Sequence, residues 1–359
     1  MEGARAVSMV VIGIDPHKSS HTAVAVDQLG RKLAQHTTKP DPDGLLRLRI
    51  WASKIAAGTQ LLWAVEDGRG VAGALVRTLI GTGARVVWVP TRLMAAARAS
   101  GRERGKSDPI DALAVARAAL REPGLPTAHL DQTALDLRLL TDRREQLVRQ
   151  RTAAINRLRW ALHDIDPALD PAGALTRPAR LAELTTALTA LPPTVRRDLT
   201  LDLVTEIAAL GTQITELEHR LSALVTPIAP NLLAIVGVSV ITAAKIIGET
   251  AGITRFRSTA AYAAHTGTAP IPVWSSGKPQ YRLNRGGNRQ LNTCLHRIAI
   301  TQLAHHPPAR NYHDNWTRHH PHATTKAALR ALKRHLANTI YHAQRADHTH
   351  QQHPQPHPA

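Results

Sequence analysis

The chain has 359 residues, 43% of them hydrophobic, with 45 Lys and Arg against 27 Asp and Glu for a formal charge of +18. The hydrophobic share is that of a globular protein, which excludes wholesale disorder and leaves room for two or three domains. A charge this positive points to a polyanion, nucleic acid first, because neutralising phosphates releases counterions.

Residues 8–125 read as alternating strands and helices. Ser8 to Ile14 is a β-branched run that meets Asp15, His21 to Val26 follows, and a turn at Asp27–Gly30 leads into Arg31 to Thr38. Short spacing and turn residues predict an antiparallel meander. A helix is expected over Asp43–Ala56, a fourth strand over Leu61–Val65 ending at Glu66, and a helix over Val71–Ile80. A fifth strand over Arg85–Val89 closes at Pro90, and a helix starts at Asp108. Three strands followed by βαβ units give a mixed sheet flanked by helices, the order of an RNase H-like α/β fold.

Residues 130–227 change to a helical arm. Leu203, Ile207, Leu210, Ile214, Leu217, Leu221 and Leu224 alternate steps of four and three, a heptad seam. The seam fits a partner within the chain or a second copy, as in a dimerisation coiled coil. Residues 228–345 form a mainly α C-terminal unit, and 346–359, rich in His and Pro, read as a disordered tail. The single cysteine, Cys294, excludes an intrachain disulfide. The first residues lack a signal peptide's apolar core, and no run reaches a membrane span, so a cytoplasmic chain with no membrane partner is expected.

Four acids stand out by position. Asp15 ends strand one and Glu66 ends strand four, which are neighbours in such a sheet. Asp108 and Asp111 lie at i and i+3 on a helix start, so they face one way. Clustered carboxylates raise one another's pKa unless a cation sits between them, and hard oxygen ligands select Mg²⁺ or Mn²⁺. A pair of such ions activates a nucleophile and stabilises a leaving oxygen in phosphoryl transfer. The structural alternative makes Asp108 a helix cap with Asp111 completing a capping box. Lys18 and Lys106 nearby suit backbone phosphates.

Further on, Leu232–Glu249 reads as helix, tight turn and helix, a helix-hairpin-helix-like segment that would offer Gly237, Thr242 and Lys245 to phosphate. Ser239 stands where such hairpins carry a second glycine. A loop with Ser275, Ser276, Gly277 and Lys278 follows, then Arg282, Arg285, Asn288 and Arg289, a basic phosphate-binding loop or a solvated one.

The combination resembles the DEDD-type transposases of insertion-sequence family 110, with the related 116, 902 and 1111 groups. It is carried by Gly13-Ile14-Asp15-Pro16-His17-Lys18, Glu66, Lys106-Ser107-Asp108-Pro109-Ile110-Asp111-Ala112, the Gly237 hairpin with Thr242-Ala243, Phe256-Arg257-Ser258, Ser276-Gly277-Lys278 and Gly287-Asn288-Arg289. It covers about residues 10 to 345, departing at Pro16 and Ser239. The resemblance implies a RuvC-like N-terminal domain with Asp15, Glu66, Asp108 and Asp111 as its metal-binding tetrad. It implies Ser276 as a nucleophile that joins DNA, a homo-oligomer built through the arm, and donor and target DNA as partners. A structured guide RNA encoded by the element is implied as well. Two other readings fit the residues: an RNase H-like, junction-resolving nuclease that uses water, and a non-enzymatic nucleic-acid-binding protein.

Overall fold

Alternation along the first strand builds the N-terminal layers. In β1 (Met9–Pro16), Val10, Ile12 and Ile14 serve one hydrophobic layer while Val11 serves the other, so Gly13 and Asp15 share the face of Val11. The structure, a computed structural model, describes residues 9–66, 71–91, 93–94, 107–122, 124–125, 127–128, 131–170, 173–275, 278–284, 286–322 and 324–352. Lys106, Ser276, Gly277 and Arg285 lie outside the described residues, as do the side chains of Ser275 and Lys278. The chain divides into two units, 1–130 and 131–359.

In the first unit the sheet order is β3-β2-β1-β4-β5. Strand β2 (His21–Val26) runs antiparallel to β1 and to β3 (Lys32–Thr38). Strand β4 (Gln60–Glu66) is parallel to β1, and β5 (Val86–Val89) is parallel to β4. Three antiparallel strands followed by two parallel ones make an RNase H-like sheet, as the sequence order led us to expect. Helices α1 (Pro42–Ala56) and α2 (Gly73–Gly81) cover one face through Leu45, Leu48, Leu75 and Leu79. Helix α3 (Asp108–Arg121) covers the other through Ala112, Val115, Ala116 and Ala118. Pro42 at the first turn of α1, behind an Asp41 side chain that accepts from Gly44 N at 2.7 Å, sets where that helix begins.

The second unit is helical apart from one hairpin among its described residues. Helix α4 (Gln132–Ile165) and helix α6 (Val195–Val225) pack antiparallel, and Arg144–Glu218, Arg157–Glu206 and Arg196–Asp164 pair them in descending order. The partner of the seam is therefore α4 of the same chain. Leu147 meets Leu210, Ile214 and Leu217. At the ends the buried positions are Val204 and Val225, while Leu224 is 40% exposed. A straight helix of 3.6 residues per turn drifts off a 3.5 repeat, which moves the contact stripe by one residue. Helix α5 (Pro178–Thr189), not foreseen as a separate element, closes the far end with Leu181, Leu184 and Leu188. Leu217→Asp would bury a charge in this stripe. The expected outcome is loss of the α4–α6 pairing, read as a lower helical signal and an earlier melting transition, whereas unchanged melting would show the stripe to be unimportant.

A short turn α7 (Pro230–Leu233), α8 (Val240–Thr250), α9 (Thr259–His265), α10 (Arg289–His305), α11 (Pro307–His319) and α12 (Thr325–Gln352) complete the unit. Their core joins Leu221 and Val225 to Ala243, Ile246, Tyr262, Leu295 and Ile340. The described part of the supposed tail is ordered: α12 runs to Gln352. Asp347 is 4% exposed and its carboxylate accepts from Asn231 N at 2.8 Å and Leu232 N at 3.1 Å, capping α7. That buried cap holds residues whose composition alone reads as disordered.

Candidate metal centre

Asp15 reaches its place because Gly13, two residues earlier, has no side chain. A Cβ on Gly13 would stand 2.2 Å from Ala112 O and 2.4 Å from Ala116 N. The bare backbone lets α3 settle against β1, and the first turn of that helix then lies beside the strand end. Parallel pairing of Ile14 with Val65 puts Asp15 in line with Glu66 on the adjacent strand.

Asp15 is 5% exposed and Asp111 8%, while Asp108 is open to solvent. His17 Nε2 lies 3.1 Å from Asp15 Oδ2 and 3.4 Å from Asp108 Oδ1. Ligand atoms of Asp15, His17 and Asp108 all fall within 4.8 Å of one another. Burial pushes the Asp15 carboxyl above its ordinary range; His17 opposes this, and the charges of Glu66 and Asp111 add to it. Glu66 and Asp111 thus act electrostatically on the Asp15 carboxyl, while the side chains whose ligand atoms come together are those of Asp15, His17 and Asp108.

The capping alternative does not hold, because Ser107 is the N-cap of α3 and Asp108 is its first residue. Both acids sit in the first turn, where the helix dipole favours negative charge. Crowded carboxylates bridged by an imidazole nitrogen form a donor set suited to a small divalent cation. His17 is the residue that motif reading passed over. It lies two residues past Asp15, and a tight turn from His17 N to Ser20 O at 2.8 Å brings it back over the strand end. Its adjacency to Asp15 was the available signal. Lys18, next to it, is exposed.

In the second unit, β6 (Ile271–Ser275) and β7 (Lys278–Arg282) pair antiparallel up to Ser275 opposite Lys278. Ser276 and Gly277 are the two residues between them. Arg282 and Arg289 are exposed. Three other residues expected at phosphate are engaged with the protein. Lys245 is 5% exposed and pairs with Glu145 of α4. Asn288 is 2% exposed, donates to Glu249 and caps α10 by accepting from Gln290 N and Leu291 N. Gly237 abuts Ile298 and Thr301 of α10. Thr242 N donates to Ser239 Oγ at 3.3 Å, so the departure from a glycine-rich hairpin is a helix cap. Gly287, at φ +84°, would place a Cβ 2.5 Å from Gly267 N, so this glycine serves a close backbone approach.

A family model described as transposase, of the DEDD type named for IS110, matches residues 12–167. A second, described as transposase of the IS116/IS110/IS902 family, matches residues 229–314. The chain is 28% identical to the insertion element IS900 uncharacterized 42 kDa protein of Mycobacterium paratuberculosis, over 92% of this chain and 94% of that protein. It is 27% identical to the insertion element IS116 uncharacterized 44.8 kDa protein of Streptomyces clavuligerus, over 84% and 86%. Among solved structures, T. thermophilus RuvC in complex with a Holliday junction substrate matches 31% of this chain and 93% of its own at 21% identity, with a TM-score of 0.25. No helix among the described residues is long and apolar enough to cross a membrane.

Proposed function

The chain belongs to the IS116/IS110/IS902 transposase family, and on that premise we propose that it cleaves and exchanges DNA strands with Asp15, Glu66, Asp108 and Asp111 holding Mg²⁺ or Mn²⁺ and Ser276 as nucleophile. The observation that carries this reading is the convergence of Asp15, Asp108 and His17 within 4.8 Å, with Glu66 and Asp111 raising the Asp15 carboxyl. When bound, the ions supply activation of the attacking hydroxyl and neutralise charge on the leaving oxygen.

The protein's own groups do the rest. Buried Asp15 and Asp111 present oxygens in a poorly solvated corner, where their attraction for a cation is strong. His17 spaces the Asp15 and Asp108 carboxylates. Attack by the Ser276 hydroxyl on a phosphodiester forms a serine–phosphate ester, breaks one P–O bond and frees a DNA hydroxyl. Serine is weak at neutral pH and needs such activation. The serine and the acids belong to different units, so a homo-oligomer that brings one copy's serine to another's acids fits the same chemistry. An element-encoded RNA as guide is inherited from the family resemblance and agrees with the charge of +18. Cytoplasmic action follows from a DNA substrate.

The test is to react the protein with its element's DNA ends, digest the DNA and map the modified residue by mass spectrometry. A nucleotide adduct on Ser276, absent from Ser276→Ala, is the expected result. Metal-dependent cleavage with no adduct would transfer the role of nucleophile to water, and an adduct on Ser275 would move it by one residue. Recombination that survives complete RNA removal would reject the guide.

A further inference from the structure

Arg282 at the end of β7, Arg289 at the start of α10, and Arg330, Lys333 and Arg334 on α12 line one cleft of about 580 Å³. No acidic residue lines it among the described residues. Lys333 Nζ donates to Asn292 Oδ1 at 2.6 Å inside the cleft. Burial and the nearby charges of Arg289 and Arg330 hold the Lys333 ammonium below its ordinary range. Like charges crowded without a carboxylate are relieved by an anion.

Aromatic side chains line the same cleft. Tyr312 and Trp316 lie four apart on α11, hence on one side of that helix, and both line the cleft. His335 stacks on Tyr312 at 5.2 Å between centroids, and His320 stacks on Trp316 at 4.1 Å, which steadies both rings. Tyr312 keeps 36% of its surface exposed. Cations for a backbone combined with ring faces for bases are the pairing used by single-strand binding sites. The volume is of the order that encloses one small ligand, too small for a duplex. Paired bases inside a duplex have their faces covered by neighbours, so the rings call for an unpaired one.

We propose that this cleft seats an unpaired nucleotide of a single DNA strand, its phosphates held by the arginines and its base against Tyr312 and Trp316. The choice of DNA rests on the transposase reading above. Arg282 ends β7, the strand that follows Ser276 in sequence, and pairs with Ile271. None of the acidic cluster takes part.

The test uses the full chain and a short fluorescein-labelled oligothymidine, read by fluorescence anisotropy. Tyr312→Ala and the pair Arg330→Gln with Arg334→Gln should each weaken binding roughly tenfold, with unchanged melting temperatures. Tyr312→Phe, which keeps the ring, should bind as the parent does. Bromodeoxyuridine in the oligonucleotide should crosslink to the peptide carrying Tyr312 and Trp316. Equal binding by all variants, crosslinks confined to other peptides, or binding by oligouridine but not oligothymidine would overturn the proposal. Asp15→Asn should bind oligothymidine normally, so loss of cleavage and loss of the cleft are separable failures.

Discussion

Asp15→Asn is expected to lower metal-dependent DNA cleavage by about a hundredfold to a thousandfold, the scale on which one preorganised charge-stabilising group acts. Binding to DNA should survive, because the substitution removes a negative charge near phosphates. The same variant should melt later than the parent in EDTA. The carboxyl of Asp15 is held above its ordinary pKa by burial and by Glu66 and Asp111. A folded-state pKa above the unfolded one means that ionised Asp15 costs stability, and the cost grows as pH rises through the folded value. Asparagine removes that cost, which should show as a later melting transition. Added Mg²⁺ should raise the parent's melting temperature by binding the native state, and should not raise that of Asp15→Asn. Normal cleavage by the variant would end the proposal for this residue. An earlier melting in EDTA would contradict the electrostatic account.

Gly13→Ala is expected to damage the N-terminal unit as severely as single substitutions ordinarily do. The new methyl would stand 2.2 Å from Ala112 O and 2.4 Å from Ala116 N. Both are backbone atoms, so no rotamer change relieves the clash and α3 must move. Overpacking of this kind costs about 3 kcal/mol or more. Displacing α3 also displaces Asp108 and Asp111, so any folded fraction should have lost its metal response. Gly81→Ala is the control, since a Cβ there meets nothing within 4 Å. Denaturant titrations should show an early midpoint for the first variant and a parental one for the second. Equal midpoints would mean that α3 can shift without cost, and that the site does not depend on this contact.

The strands of the first unit were legible because each is a short run bounded by turn residues, β-branched in β1, β2 and β5, and Asp15 and Glu66 fall where two of those runs stop. Boundaries moved by a residue or two: β1 extends to Pro16, so that Asp15 pairs with Thr22. The intimacy of Gly13 with Ala112 and Ala116 was not legible, because it is a contact between small residues about a hundred positions apart. His17 was passed over because its geometry comes from the turn that follows it. In the second unit the heptad pattern marked a buried stripe. Its choice of α4 rests on non-local pairs such as Arg144–Glu218. Lys245 and Asn288 read as phosphate ligands from their types and neighbours. Burial against Glu145 and Glu249 is what draws them inward. Helix α11 hid behind a His- and Pro-rich composition, and with it the aromatic pair Tyr312 and Trp316.

Anomalous diffraction from crystals soaked in Mn²⁺ tests the central claim most directly, namely that the four acids form one divalent-metal centre. The account predicts a strong peak within coordination distance, roughly 2–2.5 Å, of Asp15 carboxylate oxygen, with Asp108 or Asp111 on its other side and His17 swung aside or joined to it. The peak should vanish in Asp15→Asn. Crystals that take up Mn²⁺ elsewhere while leaving Asp15, Glu66, Asp108 and Asp111 without a peak would contradict it.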